Sequence, residues 1–226
     1  QCLLLIGVIK YCTAPKLALY EEHMNDNTLM PINQFHLDEQ IEQIILVTAM
    51  PRACTGHLST FQKNKTNNQF ESVLDMIPVV LGRYGMTANK HEGDEKSPLG
   101  LHKIGHAFGK NEKPGYINLP YIETTKDDKF IDDTDSPDYN SWVRGDTVAK
   151  SYEIMQRQDE TYDLGVVIEY NMHPVTPDRG SAIFMHIWRN SSRGTDGCIA
   201  MDKDNLKRVL KWLKPQFNPH IYILEN

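Results

Sequence analysis

Short apolar runs separated by polar or glycine-containing turns dominate this chain, and sustained helical periodicity is confined to one stretch near the end. Residues 43–49 (QIILVTA) are of strand length and rich in β-branched side chains. Residues 56–62 and 71–76 flank the polar turn 63–68 and predict a strand pair, and residues 77–81 (IPVVL) continue the β signal. A glycine- and charge-rich loop over 82–100 follows. Residues 162–171 (YDLGVVIEYN) and 181–188 predict two further strands, and residues 220–224 a closing one. The clear helix begins after Asp202, whose carboxylate can accept the free N–H groups of a first turn. Leu206, Val209, Leu210 and Leu213 then share one stripe, and Pro215 ends it. A second, short helix is expected over 146–156, with Val148, Tyr152 and Met155 on one face. Residues 111–142, rich in Asp, Pro, Tyr and Asn, hold no sustained period and predict a long irregular insertion of the kind that often carries function. The sum is a mainly β domain with a few short helices over residues 41–226, preceded by a lead-in over 1–40.

Composition narrows the class. With 226 residues there is room for one good core plus appendages, and 40% hydrophobic residues with dispersed charge describe a globular chain. The formal net charge of −6 argues against a dedicated nucleic-acid binder. The apolar run 2–9 is too short to span a bilayer. It is read as the remnant of an export signal, with a first β-strand as the alternative. Of four cysteines, Cys2 and Cys12 fall in the possible signal, residues 1–14, which leaves Cys54 and Cys198. A bridge between these two is the structural alternative to a free, reactive thiol.

The candidate chemistry lies in Ser181-Ala-Ile-Phe-Met-His186 and Thr195-Asp-Gly-Cys198-Ile-Ala-Met201. A thiol is strongly nucleophilic as thiolate, and a free cysteine with a pKa of about 8.5 is only a few per cent ionised at neutral pH. An imidazole that takes the proton corrects this, so Cys198 is the candidate nucleophile and His186 the candidate general base for acyl transfer. Backbone N–H groups of Gly197 and Cys198 are the candidate oxyanion donors. Asp196, next to Thr195, can orient His186 or serve the turn, and Arg189 and Arg193 can bind a substrate carboxylate or remain solvated. His102 and His106 lie on a strand-like segment, too far apart to share a metal ion. The cluster Asp127, Asp128, Asp132, Asp133 and Asp135 lacks the EF-hand pattern and reads as a solvated loop, so no metal site is expected.

These residues carry a resemblance. Gly93-Asp-Glu-Lys-Ser-Pro-Leu-Gly100, the pair 163–171 and 179–186, and Thr195-Asp-Gly-Cys-Ile-Ala-Met201 with the helix after it are together similar to the YkuD-type L,D-transpeptidase catalytic domain. Asp196 stands where the usual motif has its second histidine, and Ala200 where an asparagine or arginine often follows the cysteine. The segment from His186 to Cys198 is also shorter than the common one, which makes this a divergent branch similar to members carrying Thr-Ala-Gly-Cys. The resemblance implies a YkuD-like β-sandwich or closed mixed sheet, a cysteine acyltransferase without cofactor, and peptidoglycan stem peptides as partners. It also implies export to the periplasm or cell envelope. L,D-carboxypeptidase trimming and a non-catalytic cell-wall-binding module on the same fold are the alternatives.

Overall fold

A computed structural model describes residues 32–226; the export-signal reading of 2–9 and most of the lead-in lie outside the described residues. The first strand, β1 (Gln43–Ala49), is buried on both faces, which is why its sequence is a continuous apolar run rather than an alternation. It pairs antiparallel with β2 (Thr55–Lys63) and parallel with the last strand, β14 (His220–Glu225). The two segments 71–76 and 77–81 are one strand, β3 (Phe70–Val80), interrupted by irregular pairing with β2. Met76 is left-handed there (φ 54°), and the N–H groups of Leu74 and Met76 donate to the hydroxyls of Thr60 and Ser59. Those side chains replace ladder bonds that the irregularity removes.

The loop 82–100 holds a two-residue parallel pair, β4 (Met86–Thr87) with β5 (Ser97–Pro98). Next come β6 (Gly100–Gly109), β7 (Tyr121–Glu123), β8 (Asp128–Ile131), β9 (Trp142–Arg144), β10 (Tyr152–Ile154), β11 (Leu164–Ile168), β12 (Phe184–Ile187) and β13 (Ile199–Met201). The main sheet runs β11-β12-β13-β3-β2-β1-β14-β6-β7, and β11 also pairs with β6. The sheet therefore closes on itself, mixed and mainly β as the sequence implies. Residues 37–226 form one compact unit.

Two sequence expectations are overturned in the insertion. Residues 146–156 are not a helix: β10 pairs antiparallel with β8, the Met155 N–H donates to the Asp128 carbonyl, and Val148 is exposed. The apolar spacing mimics a helix, but only Met155 of the three side chains is buried. Nor is 111–142 structureless, since it contains β7 and β8. Asp128, read as part of a solvated acidic loop, is fully buried. Its carboxylate accepts from the N–H and hydroxyl of Thr125, from Trp142 Nε1 and from the Arg144 guanidinium, at 2.7–2.9 Å. Burial raises its pKa, but these donors prevail and hold it at about 2. One desolvated carboxylate thus organises the three-stranded sheet β10-β8-β9.

The helix α1 (Lys203–Trp212) is capped by Asp202, which accepts from the Asn205 N–H, and it buries Leu206, Val209 and Leu210. At its other end the buried Gln43 amide donates to the Trp212 carbonyl and accepts from the Lys214 N–H. Strand β12 divides its side chains between two cores. Met185 and Ile187 join Ile199, Met201 and the helix leucines in a large aliphatic core. Phe184 joins Phe108, Phe130, Met155, Tyr162 and Cys198 in a smaller cluster. Its ring meets those of Phe108, Phe130 and Tyr162 edge-on, with centroids 5.0–5.7 Å apart, an arrangement worth about 0.5–1.5 kcal/mol per pair beyond area burial.

Candidate active site

Strands β12 and β13 run parallel, with Met185 opposite Ile199 and His186 opposite Ala200. Cys198 precedes β13 and lies beside Phe184, whose N–H donates to Sγ at 3.3 Å. Alternation along β12 puts His186 on the same face as Phe184, so imidazole and thiol project from neighbouring strands to one side of the sheet. Both line a cleft of about 360 Å3 and both are nearly buried, each 8% exposed.

The His186 tautomer follows from its partner. Nδ1 lies 2.9 Å from the carbonyl oxygen of Ile187, which can only accept, so Nδ1 carries the hydrogen and Nε2 is left as a base. Burial, against the pull of that carbonyl, lowers the His186 pKa to about 4, and the imidazole is neutral at neutral pH. The ring packs edge-on against Tyr162 at 5.2 Å, and the Arg157 guanidinium covers the Tyr162 ring, also at 5.2 Å.

Cys198 donates its S–H to the Ala182 carbonyl at 3.4 Å. That carbonyl is aimed by a left-handed Ala182 (φ 53°), whose N–H donates to Asn140 of the insertion, 3.1 Å away. Burial pushes the thiol up to about 12, against the opposing effect of the Phe184 N–H. The resting pair is therefore a neutral thiol beside a neutral imidazole.

The segment before Cys198 is fixed to the exit of β3. Thr195 exchanges backbone hydrogen bonds with Leu81 and Arg83, and its hydroxyl donates to the Cys198 carbonyl. Ser97, fully buried, accepts from the Gly82 N–H and donates to the Gly197 carbonyl. Gly197 has φ 137°, and a Cβ there would lie 2.9 Å from the Lys96 carbonyl oxygen, so glycine is required twice over. In the resting state the Gly197 N–H, expected as an oxyanion donor, donates to Thr195 Oγ1 at 3.2 Å.

The polar residues divide. Asp196 does not orient His186, whose Nδ1–H is taken by Ile187; it accepts from Arg83 at 3.2 Å and is largely exposed. Arg189 pairs with Asp159 at 3.1 Å, while Arg193 lines the cleft and forms no ion pair with a described residue. Hydrogen bonds from Arg157, with burial opposing, hold the Asp159 carboxyl well below its usual range. Burial raises the pKa of Glu153, which lines the cleft 3.6 Å from Arg157. Cys54 and Cys198 are both free thiols, so the bridged alternative is absent. His102 and His106 lie on β6 against the rings of Tyr170 and Trp142. Sequence reasoning missed Asn140, Glu153, Arg157, Asp159, Tyr162 and the buried Lys90, whose links to the site are all long-range.

The family model of the L,D-transpeptidase catalytic domain, YkuD, matches residues 55–221, from β2 into β14. The chain belongs to the YkuD family. The domain that this family model describes is the L,D-transpeptidase catalytic domain. Among solved structures, the chain is similar to the helical cell shape determining protein Pgp2 from Campylobacter jejuni, at 15% identity and a TM-score of 0.43. That likeness covers 82% of this chain and 49% of Pgp2, so the chain spans about half the length of that relative. No curated protein matches it. No helix among the described residues is long and apolar enough to cross a membrane.

Proposed function

We propose that this YkuD domain is a cysteine acyltransferase acting on peptidoglycan stem peptides. The observation that carries the reading is that one cleft is lined by Cys198, which immediately precedes β13, and by His186 of the neighbouring strand β12, whose Nδ1 hydrogen is held by the Ile187 carbonyl. The Cys198 sulfur attacks the stem carbonyl on the L-centre side of a terminal D-amino acid, and its proton passes to His186 Nε2 as the C–S bond forms. Collapse of the tetrahedral intermediate breaks the C–N bond, and His186 returns the proton to the leaving amine. The resulting acyl-thioester is resolved by an amine of a second stem, as a crosslink, or by water, as carboxypeptidase trimming. Both acceptors share the first half-reaction. Because the thiol is pushed up to about 12 and the imidazole lowered to about 4, proton transfer accompanies attack instead of preceding it. The substrate places the protein outside the cytoplasm, in the periplasm or cell envelope.

One observation favours the second reading, a non-catalytic cell-wall-binding module: the resting thiol is protonated and turned to the Ala182 carbonyl. Intact-protein mass after exposure to a stem tetrapeptide or a carbapenem separates the two. An adduct on the wild type that Cys198→Ala lacks supports the enzyme. A wild type that gains none leaves the binding module.

A further inference from the structure

Lys90 lies in the loop between β4 and β5 with its side chain only 3% exposed. Its aliphatic stem passes Gly180, where a Cβ would meet Lys90 Cε at 2.6 Å, and its ammonium ends beside Gly197, where a Cβ would lie 3.3 Å from Nζ. Both glycines have left-handed φ values, 88° and 137°. The backbone thus carries no side chain at the two places where this lysine runs, and the second immediately precedes the candidate nucleophile. Nζ donates to the Asp94 carboxylate at 2.7 Å. That carboxylate also accepts from the N–H groups of His91 and Lys96, and these donors lower its pKa although burial opposes them. A desolvated cation acts over several ångströms far more strongly than the same charge in water.

Around the Cys198 sulfur, the carboxylates of Glu153 and Asp196 disfavour negative charge and Lys90 favours it. Tyr162 and His186 face the same space uncharged at neutral pH, the first raised by burial and the second lowered by it. We propose that Lys90 is a positioning residue for the reacting sulfur, its charge fixed behind Gly197 so as to favour the thiolate and the tetrahedral oxyanion formed at Cys198. The inference rests on Cys198 as the nucleophile and adds a residue that acts on it without touching substrate.

The test uses the full chain and its Lys90→Met, Lys90→Arg and Asp94→Asn variants. Each is alkylated with iodoacetamide between about pH 7 and 10, the Cys198 adduct is quantified by peptide mass, and thermal unfolding is followed alongside. Lys90→Met should displace the rate–pH curve upward by about one unit, so that Cys198 alkylates about tenfold more slowly at a given pH. Lys90→Arg should restore most of the rate. Asp94→Asn removes the counter-charge and keeps the ammonium, so it should move the curve the opposite way. If Lys90 only tied its loop to the sheet, both neutral variants would unfold earlier while their curves overlaid the wild type or moved together, and either result overturns the proposal. Should Lys90→Met fail to fold, Asp94→Asn decides alone: faster alkylation supports the proposal, and unchanged or slower alkylation overturns it. Alkylation needs no acyl transfer, so this outcome is independent of whether a stem peptide acylates the chain.

Discussion

The two faces of β12 set a stabilising region against a reactive one. Met185 and Ile187 enter a core with Ile199, Met201 and the stripe of α1, whose buried members are all aliphatic or Met side chains. Phe184 and His186, alternating with them, face the aromatic cluster that contains Cys198 and Tyr162. Four residues of one strand thus serve both needs, and the sheet between the cores holds the imidazole and thiol at fixed register. The difference teaches where disorder is tolerated. The aliphatic side requires only shape and hydrophobicity. The aromatic side requires specific donors and acceptors, because each buried polar group there must be satisfied.

Substitutions on the two faces should therefore separate chemistry from stability. The largest effect belongs to His186→Ala, which removes the base: acylation of Cys198 should fall by about 10²–10⁴, measured by the rate of adduct formation in the intact-mass assay. The variant also leaves a cavity against Tyr162 and an unpaired Ile187 carbonyl, so it should unfold somewhat earlier than wild type, and the rate is read well below its transition; unchanged acylation there would reverse the assignment of the two faces. Next is Leu210→Ala, in the aliphatic core and fully buried. It should cost about 2–5 kcal/mol by denaturant unfolding, while the acylation rate well below the transition stays within a few-fold of wild type.

The smallest expected effect is on pH. His186 has a folded pKa of about 4, below its unfolded value of about 6.5. Between these values the unfolded chain binds more protons than the folded one, so stability rises with pH across the window and falls as pH drops from about 6.5 towards 4. The full difference amounts to about 3 kcal/mol at most. Denaturant midpoints at pH 7 and 4.5, compared between wild type and His186→Ala, read the contribution; equal pH slopes in the two proteins would remove it.

Periodicity carried the framework. Strand β1 has the bounds expected of QIILVTA, and α1 starts after the expected cap and buries Leu206, Val209 and Leu210. In each, the hydrophobic pattern and the local start signal agree, and burial follows the pattern. The insertion was misread because its order is not periodic. Asp128 is held by Trp142 and Arg144, fourteen and sixteen residues away, and no local signal distinguishes a buried carboxylate from its solvated neighbours Asp127 and Asp133. At the site, residue type and strand position led to the expectation of a Cys198–His186 pair, and the structure has both residues lining one cleft. The resting partner of the Gly197 N–H, Thr195 Oγ1, was not legible, because it is set by a turn whose geometry the sequence does not display. Lys90 looked like one loop charge among several, since the glycines that make room for it are 90 and 107 residues further on.

Strand β14 sits between β1 and β6, and it pairs with β1 in parallel across nearly the whole domain. While a nascent chain lacks residues 220–225, β1 and β6 each present an open edge, the kind of surface that templates unwanted pairing. Ring closure therefore waits for β14, and it joins segments of high sequence separation, which slows folding.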